Sequence, residues 1–211
     1  MKQILCFGDS NTYGLIPATN DRYASDVRWT GRLNHLLQSY EYHIIEEGLC
    51  GRTTVFADEL REGRRGADLL PILLESHQPL EKVILMLGTN DCKTVYKASA
   101  EVIGKGIEKL IAQIRVADPK IDILLISPIW LGEKVWEEGY DPEFNENSVN
   151  VSKCLKAVYQ KIADRHHCEF LPASDFVSAS EADREHLDAK GHQILADVIY
   201  QKLKGELEHG F

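Results

Sequence analysis

The stretch KQILCFGDSNTYG, residues 2–14, runs from an apolar segment straight into Gly-Asp-Ser. Its first half, QILCF at 3–7, is continuously apolar. Such runs suit strands covered on both faces, because a half-exposed strand alternates apolar and polar residues. Its second half is glycine and small polar residues, the composition of a turn. The stretch therefore reads as a buried strand that ends and turns at once, with Ser10 in the turn.

Four more runs read the same way: YHIIE (42–46), VILML (83–87), IDILLIS (121–127) and the weaker CEFL (168–171). The segments between them read as helices. WTGRLNHLLQSY (29–40) gathers Leu33, Leu36 and Leu37 on one side, and GADLLPILLESH (66–77) gathers Leu69, Leu70, Leu73 and Leu74 in spite of Pro71. The clearest helical spacing is in 99–117, with Val102, Ile103, Ile107, Leu110, Ile111 and Ile114. Segment 148–166 repeats it with Val151, Leu155, Val158 and Ile162, and 189–204 with Ile194, Leu195, Val198, Ile199 and Leu203. Strand–helix alternation implies parallel strands joined by right-handed crossovers. Five such strands make an α/β protein, a three-layer α/β/α sandwich. Sites in that architecture gather at the loops leaving the carboxyl ends of the strands.

The 211 residues suit one domain, 1–211, and no repeat or low-complexity linker divides them. Composition is that of a soluble globular protein, with 44% hydrophobic and 27% charged residues. The net charge of −9 and the lack of a basic patch speak against nucleic acid and against an anionic membrane surface. The apolar stretch at the N-terminus is too short for a signal peptide, and no run reaches the ~20 apolar residues of a membrane span. A cytoplasmic location is expected. The five cysteines, Cys6, Cys50, Cys92, Cys154 and Cys168, are scattered and form no CxxC pair. Neither a disulfide framework nor a metal site is expected from them.

Four segments fall just after a strand or before the last helix: GDSNTYG (8–14), GLCGRTT (48–54), GTND (88–91) and DREHLDAKGH (183–192). Acyl transfer needs a nucleophile, a base for its proton, a group that orients the base, and donors for the oxyanion. Ser10 fits the nucleophile, His186 the base and Asp183 the orienting carboxylate. The backbone N–H groups of Ser10 and Gly51 and the side-chain amide of Asn90 fit the oxyanion donors. Each segment alone has an ordinary reading. Gly-Asp-Ser is common in turns, Gly-Thr-Asn-Asp is a turn with a helix cap, and Asp188 can cap the last helix. What shifts the balance is their joint occurrence on one rim of one sheet. Asp9 and Asp91 read as structural carboxylates that hold the neighbouring loops, and Cys50 and Cys92 have no base partner of their own.

These four blocks resemble those of the SGNH hydrolases, the GDSL esterase/lipase family, named for a Ser, Gly, Asn and His that match Ser10, Gly51, Asn90 and His186. Asp183 and the Gly-His at 191–192 match as well. DVRWTG (26–31), EEGLCGRTT (46–54) and MLGTNDCK (86–93) resemble the arylesterase and acyltransferase branch. The resemblance implies a flavodoxin-like fold with strand order 2-1-3-4-5 and a serine esterase acting on short-chain aryl or alkyl esters. It also implies an acyl-enzyme that water or another alcohol resolves, no cofactor, a small-molecule ester as the partner, and a homo-oligomer. A carbohydrate O-deacetylase or thioesterase of the same fold is the alternative. A non-catalytic binding module would not need Ser10, Asn90, Asp183 and His186 together.

Two departures stand out. The family's Leu after Gly-Asp-Ser is Asn11, and its Asp-Gly-x-His is Asp-Arg-Glu-His, with Arg184 in place of the small residue. Asn11 is expected to line the substrate pocket and to favour short acyl groups. Tyr13, Leu15, Cys50 and Trp130 are the other expected pocket residues. Segment 128–147, with Trp130, Trp136, Tyr140 and Phe144, reads either as a loop anchored on the core or as a wall of the pocket.

Overall fold

A computed structural model describes residues 2–209 of the chain. Strands β1 (Lys2–Gly8), β2 (Tyr42–Gly48), β3 (Lys82–Met86), β4 (Asp122–Ser127) and β5 (Glu169–Pro172) form one parallel sheet. Its order is β2-β1-β3-β4-β5, as expected. Successive side chains of a strand point to opposite faces. Leu5, Phe7, Val83, Leu85, Ile123 and Leu125 meet the helices Gly66–Ser76 (α3), Ala100–Ala117 (α4) and Glu146–His166 (α5) in one core layer. Ile4, Cys6, Ile84, Met86, Leu124 and Ile126 meet Trp29–Leu37 (α2) and Ala189–His209 (α6) in the other. Both faces are covered, which is why the central strands are continuously apolar.

Local chemistry sets the ends of the helices. The Ser99 hydroxyl accepts from Val102 N at 3.4 Å and caps α4. Helix α5 starts at Glu146, two residues before the apolar spacing indicates, because Asn145 and Ser148 form a capping box. Pro71 stays inside α3. A proline has no N–H to give to the carbonyl four residues back. That carbonyl, of Ala67, accepts from the Gln113 amide of α4 at 2.7 Å instead.

Register places the site. Gly8 of β1 pairs with Gly48 of β2 and with Met86 of β3. The three strands end level, so the loops holding Ser10, Gly51 and Asn90 leave side by side. The one-turn helix α1 (Ser10–Tyr13) presses onto the end of β2. A Cβ at Gly48 would lie 2.1 Å from Tyr13 N, so no other residue fits there without moving α1. Segment 128–147 has no strand and enters α5 only at its end, and it is pinned by buried Ile129, Leu131, Val135 and Phe144. No helix among the described residues is long and apolar enough to cross a membrane.

Candidate active site

Ser10 is the first residue of α1 and is 4% exposed. Asp9 caps that helix by accepting from Asn11 N at 3.0 Å, and Gly14 closes it with φ 84° and its N–H on Ser10 O at 2.9 Å. Burial raises the Asp9 pKa to about 6, against the pull of the Asn11 amide, His186 and Arg52.

His186 arrives from the segment between β5 and α6. Its Nδ1 lies 2.7 Å from Asp183 Oδ2 and its Nε2 lies 2.8 Å from Ser10 Oγ. An ionised carboxylate only accepts, so Nδ1 carries the proton and Nε2 accepts from the Ser10 hydroxyl. Asp183 also accepts from Glu185 N and His186 N through Oδ1 and from Ala18 N through Oδ2. Burial opposes its charge, but these donors, His186 first, hold its pKa below the usual carboxylate range. Burial alone would lower the His186 pKa. The carboxylates of Glu185 and Asp183 outweigh it, and the net shift is upward.

On the other side, Asn90 donates its side-chain amide to Arg52 O at 3.2 Å. Asp91 accepts from Thr54 N at 3.0 and 3.1 Å and from the Thr54 hydroxyl, which ties the loop after β3 to the loop after β2. Burial pushes the Asp91 pKa to about 7 in spite of those bonds. Arg52, itself buried, donates to Gly8 O at 3.0 Å and to Glu47 O, and lies over the Phe7 ring. Gly51 has φ 81°, a conformation that favours glycine, and a Cβ there would meet the Arg61 guanidinium at 2.4 Å. The segments with Ser10, Gly51, Asn90 and His186, all distant in sequence, therefore share one rim.

Asn11 corrects an expectation. It is 3% exposed, and its side chain is turned to the His186 segment and not to open space. Its Oδ1 accepts from Leu187 N at 2.9 Å and its Nδ2 donates to Glu185 O at 3.4 Å. One amide thus grips the backbone on both sides of His186, and Asn11 is a strut where a pocket wall was expected. Its own carbonyl accepts from Trp29 Nε1 at 3.0 Å, and Trp29 N donates to His192 Nδ1 at 3.3 Å. Burial lowers the His192 pKa to about 4, so this histidine is a neutral acceptor in the core.

The other expected pocket residues are less buried. Tyr13 lies under the Arg22 guanidinium, Leu15 N donates to Ser10 O, and Trp130 is 41% exposed. Cys50 is half-buried, and burial raises its thiol pKa, which keeps it protonated. In segment 128–147, Trp136 and Phe144 pack on the core while Tyr140 stacks on Arg184. Among the described residues, no group of three or more His, Cys, Asp or Glu side chains is placed to hold a metal ion.

Two features escaped the sequence reading. Arg28 of the DVRWTG block pairs with Glu46 through Nε at 2.5 Å and Nη2 at 2.7 Å, and Thr30 also donates to Glu46. The opposite charges of Arg28 in DVRWTG and Glu46 in EEGLCGRTT were the available signal. The other is Glu185, whose Oε1 lies 3.7 Å from His186 Nε2. Its only signal was an acidic residue next to His186.

The model of the GDSL-like lipase/acylhydrolase family matches residues 6–194. No curated protein matches the chain. Among solved structures, one superposes with a TM-score of 0.92 at 41% identity, covering 98% of this chain and 99% of that one. Est24, a carbohydrate acetylesterase from Sinorhizobium meliloti, is 35% identical with a TM-score of 0.90, over 97% of this chain and 99% of its own. The aryl esterase of M. smegmatis is 31% identical with a TM-score of 0.88, over the same 97% and 99%.

Proposed function

The chain belongs to the GDSL-like lipase/acylhydrolase family and is a carboxylic ester hydrolase, and from that premise we propose that Ser10, His186 and Asp183 form its catalytic triad. The observation that carries the reading is the unbroken relay from Asp183 Oδ2 to His186 Nδ1 at 2.7 Å and from Nε2 to Ser10 Oγ at 2.8 Å. Nε2 takes the hydroxyl proton as Oγ bonds to the ester carbonyl carbon. Asp183 holds the imidazole in that tautomer and stabilises the imidazolium. The backbone N–H groups of Ser10 and Gly51 and the Asn90 amide receive the oxyanion, where one such donor is worth about 10²–10³ in kcat. Nε2 then returns the proton to the leaving alcohol. Water, or a second alcohol in acyl transfer, resolves the acyl-enzyme by the reverse sequence.

The substrates we propose are short-chain aryl and alkyl esters of small molecules. The aryl esterase and carbohydrate acetylesterase relatives support this range. The 35% identity to the carbohydrate acetylesterase supports a second reading, a carbohydrate O-deacetylase. A cytoplasmic homo-oligomer belongs to the same proposal. The decisive measurement is phenyl acetate hydrolysis by wild type and Ser10→Ala. A fall of about 10³-fold or more is expected. Wild-type turnover in folded Ser10→Ala would remove Ser10 from the mechanism.

A further inference from the structure

Two carboxylates flank the His186 ring, and the relay uses one of them. Asp183 sits on Nδ1. Glu185 is 7% exposed, and its Oε1 is 3.7 Å from Nε2, the nitrogen that faces Ser10 Oγ. Among the described residues, no hydrogen bond holds the Glu185 carboxylate, whereas Asp183 accepts four. The other charged groups acting on Glu185 are Lys93, from the connection after β3, and Asp141, from segment 128–147, besides His186 and Asp183 of its own segment. Asp9 acts on the same imidazole from α1. Burial raises the Glu185 pKa to about 7, with His186 and Lys93 pulling it down.

A gap of 3.7 Å is too long for a hydrogen bond to Nε2. It lets a ligand hydroxyl approach Oε1 while a neighbouring oxygen bonds Nε2. In the proposed mechanism Nε2 hands its proton to the oxygen of the leaving alcohol. A hydroxyl on the carbon next to that oxygen is then the group that can span the 3.7 Å from Nε2 to Oε1.

We propose that Glu185 is a specificity-determining residue for the alcohol half of the ester, accepting a hydrogen bond from a hydroxyl adjacent to the ester oxygen and so favouring monoesters of diols and polyols. The proposal rests on the assignment of Ser10 and His186 given above. In the acyl-forming step the Oγ–carbon bond forms, the bond from carbon to the alcohol oxygen breaks, and that oxygen takes the Nε2 proton. The adjacent hydroxyl keeps its own proton throughout and only donates to Oε1.

The test compares 2-hydroxyethyl acetate with ethyl acetate, each followed by acid release, in wild type, Glu185→Gln and Glu185→Met. The quantity read is the ratio of the two kcat/KM values within one preparation. Any loss of folded enzyme cancels from that ratio, and differences in leaving-group chemistry cancel between variants. Glu185→Met should cut the preference for the hydroxyl-bearing ester about tenfold, the order of a hydrogen bond to a charged acceptor. Glu185→Gln, which keeps an acceptor but no charge, should fall between. Equal losses on both esters would overturn the proposal. The pH profile gives a second readout. Glu185 raises the His186 pKa, so Glu185→Gln should move the acid limb of kcat/KM for ethyl acetate to lower pH. Ser10→Ala separates the two layers. Turnover retained in that variant sinks the nucleophile assignment, whereas an inactive Ser10→Ala with an unchanged ester ratio in the Glu185 variants sinks only the role of Glu185.

Discussion

The loops that carry Ser10, Gly51 and Asn90 and the segment that carries His186 are held by different kinds of bond. The first three leave β1, β2 and β3 at one level because Gly8 pairs with Gly48 and Met86. Their placement follows from parallel backbone ladders that any strand of the right length would make. Segment 177–188 has no strand or helix and no ladder to lean on. It folds on itself through Ser180 N to His186 O at 2.8 Å and Arg184 N to Ser180 O at 2.7 Å. It reaches the rim through side chains, Asn11 to Glu185 and Leu187 and Asp183 to Ala18. Backbone register sets the level of the Ser10, Gly51 and Asn90 loops, with the Asp91 carboxylate on Thr54 as an added tie between two of them, whereas the His186 segment depends on side-chain amides and carboxylates to reach the rim.

Asn11→Leu breaks that contrast most directly. It restores the family's usual residue and leaves Leu187 N and Glu185 O without their partner. A buried polar group left unpaired costs about 1–3 kcal/mol. Loss of melting temperature by several degrees is expected, together with a 10–10²-fold fall in kcat, roughly what misplacing a catalytic group by an ångström does. KM should move less, because the amide grips the backbone on both sides of His186. A folded Asn11→Leu with wild-type kcat would show that the His186 segment positions itself.

The same contrast explains what could be read from the sequence. The five strands were legible because burial on both faces makes them continuous apolar runs, and the helices because Ile103, Ile107, Leu110 and Ile114 hold one spacing. Ser10, Gly51 and Asn90 were legible as residue types just after strands, and Asp183 and His186 as types in the loop before the last helix. The direction of the Asn11 side chain was not. Its partners are the backbone groups of residues 185 and 187, more than 170 positions away, and backbone groups carry no sequence signal. The helix through Pro71 was legible from its leucines, but the donor that compensates the proline, Gln113, was not, since it sits on another helix. Glu185 was hidden because adjacency to His186 in the chain says nothing about which ring nitrogen its carboxylate meets.

A smaller effect tests the rim. Burial holds the Asp91 and Asp9 pKa values at about 7 and about 6, above their ordinary range. A folded state with the higher pKa keeps its protons more tightly than the unfolded chain. The stabilisation is therefore complete near pH 4 and is lost as pH rises through 6 to 7. Glu185, also near 7, has the same sign. His192 has the opposite one, gaining stability as pH rises from about 4 to its ordinary range. Melting temperature should thus be higher at pH 5 than at pH 8, and Asp91→Asn should shrink that difference by removing one buried acid. A difference as large as wild type in Asp91→Asn would mean that Asp91 stays ionised across this range, held by Thr54.

Arg184→Gly should have the smallest effect on stability, and it probes the contact between the His186 segment and segment 128–147. Arg184 has φ 61°, where a residue with a Cβ is strained by about 1–2 kcal/mol. The side chain compensates by stacking on Tyr140 at 4.2 Å and by donating to Glu133 O at 3.0 Å and Lys134 O at 3.3 Å. A stack of this kind is worth about 0.5–1 kcal/mol, and each hydrogen bond about as much. Glycine removes the strain and the tethers together, so global stability should change by less than about 1 kcal/mol. The backbone bond from Gly132 N to Arg184 O at 2.7 Å survives the substitution. Only residues 133–140 lose their tie to the His186 segment, and amide hydrogen exchange there should quicken while the strands keep their protection. Unchanged exchange would assign the anchoring to Gly132 and the buried Val135 and Phe144. A large loss of stability would mean that the guanidinium contacts outweigh the strain by more than their individual strengths allow.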